Sequence, residues 1–376
     1  MACISNALIV GGSIAGMNTA IALANAGVEV DVVELAQEPL GASLAFSGRA
    51  AMALVELGIY DEVHATGRPA LPGNTAMSIR NHMTGEIINP GPQRPEWPGA
   101  VDAVGVYRPV FLEVAQREAE RLGVRVRKGV TYESFTDGPD GVDVFFTDGR
   151  EGRYDLMIAA DGINSKTREL IFPDAPKPQY SGQLSIRWMA PGPQVDGEGW
   201  YQSEVGRLGF YYLPQDLVYI PAVINIPEQR WVSDEEVRDI FTALLDSMEA
   251  PAIRELRSRL TNDSELIGKP FYWLLLSEPW HKGRTLLIGD AAHATSAHMG
   301  MGGGMAVEDA CVLGQSIAAA ATLPESLDMF MKRRFERTKI VVETSNRLGQ
   351  LEQQSAPPAE NVALLTKAFA VIGAPY

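Results

Sequence analysis

Three carboxylates stand where apolar runs stop. Glu34 closes residues 28–34, Asp161 follows residues 155–160, and Asp290 follows residues 285–289. A strand that ends in an acid, with small residues then opening a helix, offers a carboxylate to hydroxyl groups and bare amides to phosphate. The third segment is the richest. After Gly289 and Asp290 come Gly300, Gly302, Gly303 and Gly304, and a helical pattern begins near Gly303 and runs to about Ala320. A loop so poor in side chains lets a polar ligand lie against the backbone.

The elements around these acids fit the same chemistry. Residues 7–10 form a short buried-type strand, and Gly11, Gly12, Ser13, Ile14, Ala15 and Gly16 make the turn. Ile14, Met17, Ile21 and Ala24 recur at helical spacing, and Gly27 sits where a C-cap glycine belongs. This is a βαβ unit with a dinucleotide fingerprint ending in Glu34, although Ser13 replaces the middle glycine. A ligand-free strand–helix turn is the alternative. Asp161-Gly162 is also open to a plain turn reading, which Asp140-Gly141 and Asp148-Gly149 receive in a hairpin region. The buried strand before Asp161, and Ser165 and Arg168 after it, set that pair apart.

Together the segments resemble the single-component FAD-dependent aromatic hydroxylases, the p-hydroxybenzoate hydroxylase-like flavoprotein monooxygenases, along nearly the whole chain. The resemblance implies that residues 11–16 hold the ADP half of a non-covalent FAD, with Glu34 on the adenosine ribose. It implies a role toward FAD and NAD(P)H for Asp161 and Gly162. It places Gly289 and Asp290 on the ribityl chain, with Gly300, Gly302 and Gly303 beside the isoalloxazine. Arg108 matches an arginine that reaches the flavin, and Arg49 one near the pyrophosphate or the catalytic centre. The third motif departs from the family form, with Ala297 for a proline and Met301 for a glutamine. The Ala297 carbonyl and His298 are therefore the expected contacts to substrate, His298 also as a proton relay.

The implied chemistry is reduction of FAD by NADH or NADPH as a transient co-substrate, followed by oxygen transfer from a flavin C4a-hydroperoxide to a small phenolic or heteroaromatic ring. Water must be excluded. No nucleophile is required, and no Ser/His/Asp or Cys/His arrangement is visible. The alternatives are a related flavoenzyme doing epoxidation, halogenation or reduction, and a flavin-binding redox sensor.

Composition sets the frame. With 376 residues, 46% hydrophobic and 21% charged, the chain suits a large or two-domain enzyme of the α/β class. A net charge of −15 argues against nucleic acid and anionic membrane as partners. Cys3 and Cys311 form no spacing motif and read as free thiols of a cytoplasmic protein, and the five scattered histidines include no metal pair. Residues 1–6 do not resemble a signal peptide, and no apolar run is long enough to span a bilayer. A monomer or homodimer is expected.

The domain pattern reads as interleaved. A Rossmann-like FAD-binding domain takes residues 1–70, 99–178 and 266–376 and ends in C-terminal helices. A smaller substrate domain takes 71–98 and 179–265. Residues 77–80 form a strand candidate, residues 89–98 a proline-rich surface loop, and residues 109–122 a helix with proline near its start. Residues 185–189, 199–203, 209–213 and 217–220 read as an antiparallel sheet with aromatic sides. Ser233 opens a capping box, a further helix covers 252–260, and a long helix runs from 324 to about 353. The basic residues from Lys332 to Lys339 on that long helix read as a solvated face. Phe210 and Tyr212, on one side of the sheet, with Tyr201 and Arg187, are the expected pocket lining; Tyr211 points the other way.

Overall fold

The computed structural model describes all residues except 1, 39, 40, 42, 70–77, 91–98, 193–195 and 215. Much of the proline-rich stretch and the first residue of the 77–80 strand candidate lie outside the described residues. Ile79–Arg80 forms the short strand that remains of that candidate.

The N-terminal strand Asn6–Val10 is buried over four of its five positions because residues 7–10 are all apolar. It sits at the centre of a six-stranded sheet, with Leu156–Ala159 on one side and Glu29–Glu34 on the other, both parallel to it. Thr285–Leu287 adds in parallel beyond Leu156–Ala159. All three acid-bearing strands therefore end at the same edge, the carboxyl edge, where ligands of doubly wound sheets bind. The helix Ile14–Asn25 leaves this edge, and the helix Gly302–Ala319 packs along it. Ile21, Leu23, Ala310 and Leu313 belong to the same fully buried core.

A second, seven-stranded sheet is antiparallel through Leu266–Trp273, Gln179–Pro191, Leu217–Asn225, Arg207–Leu213 and Gly199–Gln202. Ile79–Arg80 and Ile87–Asn89 complete it. The strand Leu266–Trp273 also lies in it, which carries this unit past the expected boundary at 265.

Strict alternation divides the antiparallel sheet. Leu184, Ile186, Trp188, Phe210 and Ile220 face the helices Asp234–Asp246 and Pro251–Arg259 and form a separate core with Phe241 and Leu244. Ser233 caps the first of these helices as the capping box predicts, its hydroxyl accepting from the Glu236 amide at 3.1 Å.

The long helix spans Leu323–Gln353, and a C-terminal helix over Pro358–Gly373, which the sequence pattern did not reveal, packs against it. Among the described residues no helix is long and apolar enough to cross a membrane. Cys3 and Cys311 are unbridged.

Candidate cofactor and substrate site

Glycines make the three motifs converge. Gly11 has φ +105°, and a Cβ there would lie 2.3 Å from the Ala160 carbonyl, just before Asp161. A Cβ on Gly16 would lie 1.8 Å from the Gly11 carbonyl, which only glycine permits. Gly289, at φ +57°, stands 2.8 Å from the Ala15 Cβ by the same measure. Arg168 binds the second motif to the third: it is buried, and its Nη1 donates to the Ala291 carbonyl at 3.0 Å.

The first helix opens with no capping side chain and no acid in its first turn. Its amides at Ile14, Ala15 and Gly16 therefore present uncompensated partial positive charge. Arg108, at the head of its own helix, adds a full charge there, with Nη2 donating to Ser13 Oγ at 2.5 Å. Burial lowers the Arg108 pKa, opposed by Asp290 and Glu34 and aided by repulsion from Arg187. Glu34 accepts from the amides of Gly12 at 2.6 Å and Ala36 at 2.7 Å, which pins its carboxylate beside the glycine turn.

Asp161 accepts from Thr167 through one oxygen, while its Oδ1 is buried without a protein partner among the described residues. Asp290 keeps an accessible side chain although it lies deep in the molecule, and burial pushes its pKa up against the pull of His293 and Arg108. A carboxylate both deep and accessible lines a recess. Gly162 and Gly300 have positive φ with open space where a Cβ would stand. Gly302 and Gly303 open the 18-residue helix, again with no side-chain cap and no first-turn acid. A recess lined by two acids, one arginine and two uncapped helix starts fits a dinucleotide with a polyol chain.

A buried ion cluster lies behind this recess. Asp309 Oδ2 accepts from the Gly289 amide at 3.1 Å and meets His293 Nε2 at 2.6 Å, and Arg334 Nε donates to Oδ1 at 2.8 Å. Glu308 Oε2 accepts from Arg334 Nη1 at 2.7 Å and Arg337 Nε at 2.6 Å. Burial alone would raise the Asp309 pKa, but His293 and Arg334 outweigh it and hold the carboxyl below its usual value. Arg334 is 0% and Arg337 6% exposed, so the expected solvated basic face is wrong at these two positions. The signal was present: two adjacent acids, Glu308 and Asp309, interrupt an otherwise apolar helix and demand buried cations.

The expected substrate residues divide. Tyr201 and Phe210 are 0% exposed and belong to the core beneath the helices, which corrects their reading as pocket lining. Burial pushes the Tyr201 hydroxyl up to about 12, and it donates to the Gly197 carbonyl at 2.8 Å. Tyr212 shares their side and lies under the Arg68 guanidinium, 4.4 Å from its ring centroid. The opposite face carries Ser185, Arg187, Tyr211 and Tyr219. Tyr211 stacks on Tyr219 at 6.2 Å and meets Trp200 edge-on at 5.8 Å. Arg187 is half-buried, and its charge is felt by both Arg108 and Tyr219. Through Arg187 this face comes within electrostatic reach of Arg108.

In the loop, the Ala297 carbonyl accepts from the Gly300 amide at 3.0 Å, closing a turn that leaves Ala297 exposed. The His298 side chain is 2% exposed, its Nδ1 lying 2.8 Å from Ser296 Oγ. Burial, and next the Arg207 charge, lower its pKa to about 3, so the imidazole is neutral. Arg49 was expected near the pyrophosphate or the catalytic centre. Its Nε donates to the Gly373 carbonyl at 2.8 Å, tying it to the end of the C-terminal helix.

Comparisons with known proteins bear on the family and the fold. A family model described as an FAD binding domain matches residues 5–345. The aurachin C monooxygenase/isomerase of Stigmatella aurantiaca is 30% identical over 357 residues, which is 92% of this chain and 89% of the relative. The 2-heptyl-3-hydroxy-4(1H)-quinolone synthase of Pseudomonas aeruginosa is 28% identical over 93% of this chain and 90% of its own length. A crystal structure of a Klebsiella pneumoniae protein complexed with FAD and uric acid aligns with a TM-score of 0.78 at 22% identity, covering 97% of this chain and 92% of that one. At that identity the likeness is one of fold.

Proposed function

This chain belongs to the FAD-binding-domain family of flavoprotein monooxygenases, and from that membership we propose that it hydroxylates a small, electron-rich nitrogen heteroaromatic or phenolic compound, using NAD(P)H and O₂. The similar proteins support this class: one is a synthase of a hydroxylated quinolone and another holds uric acid in its structure, both nitrogen heterocycles. FAD held there would supply the redox chemistry, that is, acceptance of reducing equivalents from NAD(P)H and activation of O₂ for oxygen transfer to the ring.

The chain's own residues bind, orient and enclose. The amides of residues 14–16 and the Arg108 guanidinium would hold the pyrophosphate. Glu34 would take the ribose and Asp290 the ribityl hydroxyls, while Gly300, Gly302 and Gly303 would let the ring system lie against the backbone. Asp161 and Gly162 stand between the two halves. Substrate would lie between the Ala297 turn and the sheet face of Ser185, Arg187, Tyr211 and Tyr219, where aromatic sides exclude water. In this reading residues 1–70, 99–178 and 274–376 form the cofactor unit, and 71–98 and 179–273 the substrate unit, in a cytoplasmic monomer or homodimer.

The observation that carries the reading is the meeting of three acid-ending strands and two uncapped helices at one sheet edge. Two measurements test it. Acid precipitation of the purified yellow protein should release FAD into the supernatant. A screen of nitrogen heterocycles and phenols should find one that stimulates NAD(P)H and O₂ consumption and gains a single oxygen by mass. Consumption without any oxygenated product, across such a panel, counts against hydroxylation.

A further inference from the structure

The end of the C-terminal helix is held by arginines that belong to other helices. Pro358–Gly373 carries no basic residue in its own last turn, where helix carbonyls run out of partners. Arg337 Nη1 donates to the carbonyls of Val371 and Ala374, both at 3.0 Å, and Nη2 to that of Ile372 at 2.5 Å. Arg49 Nε donates to the Gly373 carbonyl between them at 2.8 Å. The two remaining donors of Arg337 go to Glu308, from Nε at 2.6 Å and Nη2 at 3.0 Å. All five N–H groups of this guanidinium are thus engaged, three by the helix end and two by a fully buried carboxylate. Undocking the helix would strand three donors and let water reach Glu308.

The line continues inward. Glu308 also accepts from Arg334, Arg334 Nε donates to Asp309, and Asp309 accepts the Gly289 amide. Charge-assisted hydrogen bonds therefore run unbroken from the end of the helix to the residue before Asp290. A second contact reaches the same region without charges. Ala368 and Ile372 share one buried apolar cluster with Met299, Met301 and Met305. Met301 stands just before the helix Gly302–Ala319, which carries Glu308 and Asp309. A glutamine at 301, the residue the resemblance would place there, would bring an unpaired amide into this cluster. Methionine at that position suits a docked helix.

We propose that docking of the helix Pro358–Gly373 and binding of FAD form one linked equilibrium, with Arg337 as its positioning residue. The helix end completes the pairing of Arg337 with Glu308. Through Arg334 and Asp309 that pair sets the turn at Gly289, from which Asp290 reaches the ribityl hydroxyls. Arg337 acts through these residues and not on the cofactor itself. The role of Asp290 rests on the function proposed above. Linkage of this kind is reciprocal: the factor by which FAD favours the docked helix is the factor by which docking favours FAD.

Hydrogen–deuterium exchange of the full-length protein, with and without FAD, tests this on peptides covering residues 358–373. Saturating FAD should slow exchange there at least ~10-fold, and in the helix Asp234–Asp246, which lies in its separate core, less than about twofold. Ala368→Glu undocks the helix from its apolar side and leaves every member of the ionic line in place. Its FAD dissociation constant, read by flavin fluorescence, should rise by the factor that FAD slows exchange in the wild type. Arg337→Gln should weaken FAD at least as much, and adding Ala368→Glu to it should cost nothing further, because both cut one line. A merely structural arginine would lower the unfolding midpoint and leave that non-additivity out. Wild-type protein that binds FAD with no change in exchange at 358–373 overturns the linkage and leaves the cofactor reading standing; protein that binds no FAD overturns the cofactor reading as well. Additive losses in the double variant overturn the role of Arg337. If a variant fails to fold, the wild-type exchange decides.

Discussion

Asp309 holds Gly289 in place from the next helix: its Oδ2 accepts the Gly289 amide at 3.1 Å, at the point where the strand gives way to Asp290. The same oxygen meets His293, so one carboxylate fixes both ends of the short turn that aims Asp290. Asp309→Asn should keep the shape while removing the charge that balances Arg334. Breaking a fully buried pair this way costs about 3–5 kcal/mol. Urea unfolding should show that loss in the FAD-free protein, and FAD affinity should fall with it. Unfolding midpoints equal to wild type would mean that the cluster is not what stabilises this turn.

Asp290 is the more direct test of the cofactor site. Asp290→Ala should weaken FAD retention about 10- to 150-fold, the loss of one charge-assisted hydrogen bond of roughly 1.5–3 kcal/mol. Asp148→Ala is the control, because Asp148 lies in a hairpin and pairs with Arg127 at 3.2 Å and Arg150 at 3.6 Å. Fluorescence titration of the apoproteins with FAD compares them. Identical dissociation constants would remove the ribityl assignment.

Ala297→Pro should change coupling more than FAD binding. The Ala297 carbonyl already closes a turn onto Gly300, so proline restricts the path into that turn without removing the acceptor. The fraction of NAD(P)H appearing as H₂O₂ should move, while the FAD dissociation constant stays within about twofold. Native coupling with impaired FAD retention would relocate this residue from the substrate to the cofactor.

The two sides of the antiparallel sheet should respond differently. Phe210→Ala hollows the core beneath the helices and should destabilise by about 3–5 kcal/mol. Tyr211→Ala should lose far less stability but change substrate affinity or coupling. Thermal unfolding and H₂O₂ yield, measured on both variants, separate the roles. Were Phe210→Ala to leave stability intact and alter only substrate handling, the assignment of the two sides would be reversed.

His298 should also shape acid stability. Its folded pKa, about 3, lies below the ordinary value of 6.5, so the unfolded chain binds a proton that the native one refuses. The contribution is fully present above pH 6.5 and is lost as pH falls from there toward 3. Unfolding free energies for His298→Gln should therefore fall less steeply than wild type over that window. One group can account for at most about 1.4 kcal/mol per pH unit. Parallel slopes would show that the imidazole is not held neutral.

The cofactor half was legible because its signals are local. A strand, a glycine turn, a helix period and a terminal acid lie within a few dozen residues, and each states a backbone need that few other sequences meet. The substrate half was legible only to the level of alternation. Period two separates Phe210 from Tyr211, but which side meets the helices depends on elements such as Asp234–Asp246 that come later in the chain. Arg334 and Arg337 were misjudged for a related reason: a basic residue on a helix does not announce its partner, and Glu308 and Asp309 lie on the preceding helix. The C-terminal helix gave no distinct cue beside its longer neighbour.

The order of strands in the parallel sheet carries a consequence for how the protein is made. Residues 7–10 pair with 156–159, which pair with 285–287, and the turn after them waits for Asp309 and Arg334. A ribosome releases these pieces in sequence, so the nucleotide pocket stays unfinished until Arg334, more than three hundred residues after the first of these strands, has emerged. Non-local pairing of this kind is slow, and it leaves apolar strand edges exposed meanwhile. Supply of the vitamin-derived ligand during expression should therefore set soluble yield by capturing chains that have just closed, because anything that binds only the finished fold draws the equilibrium toward it.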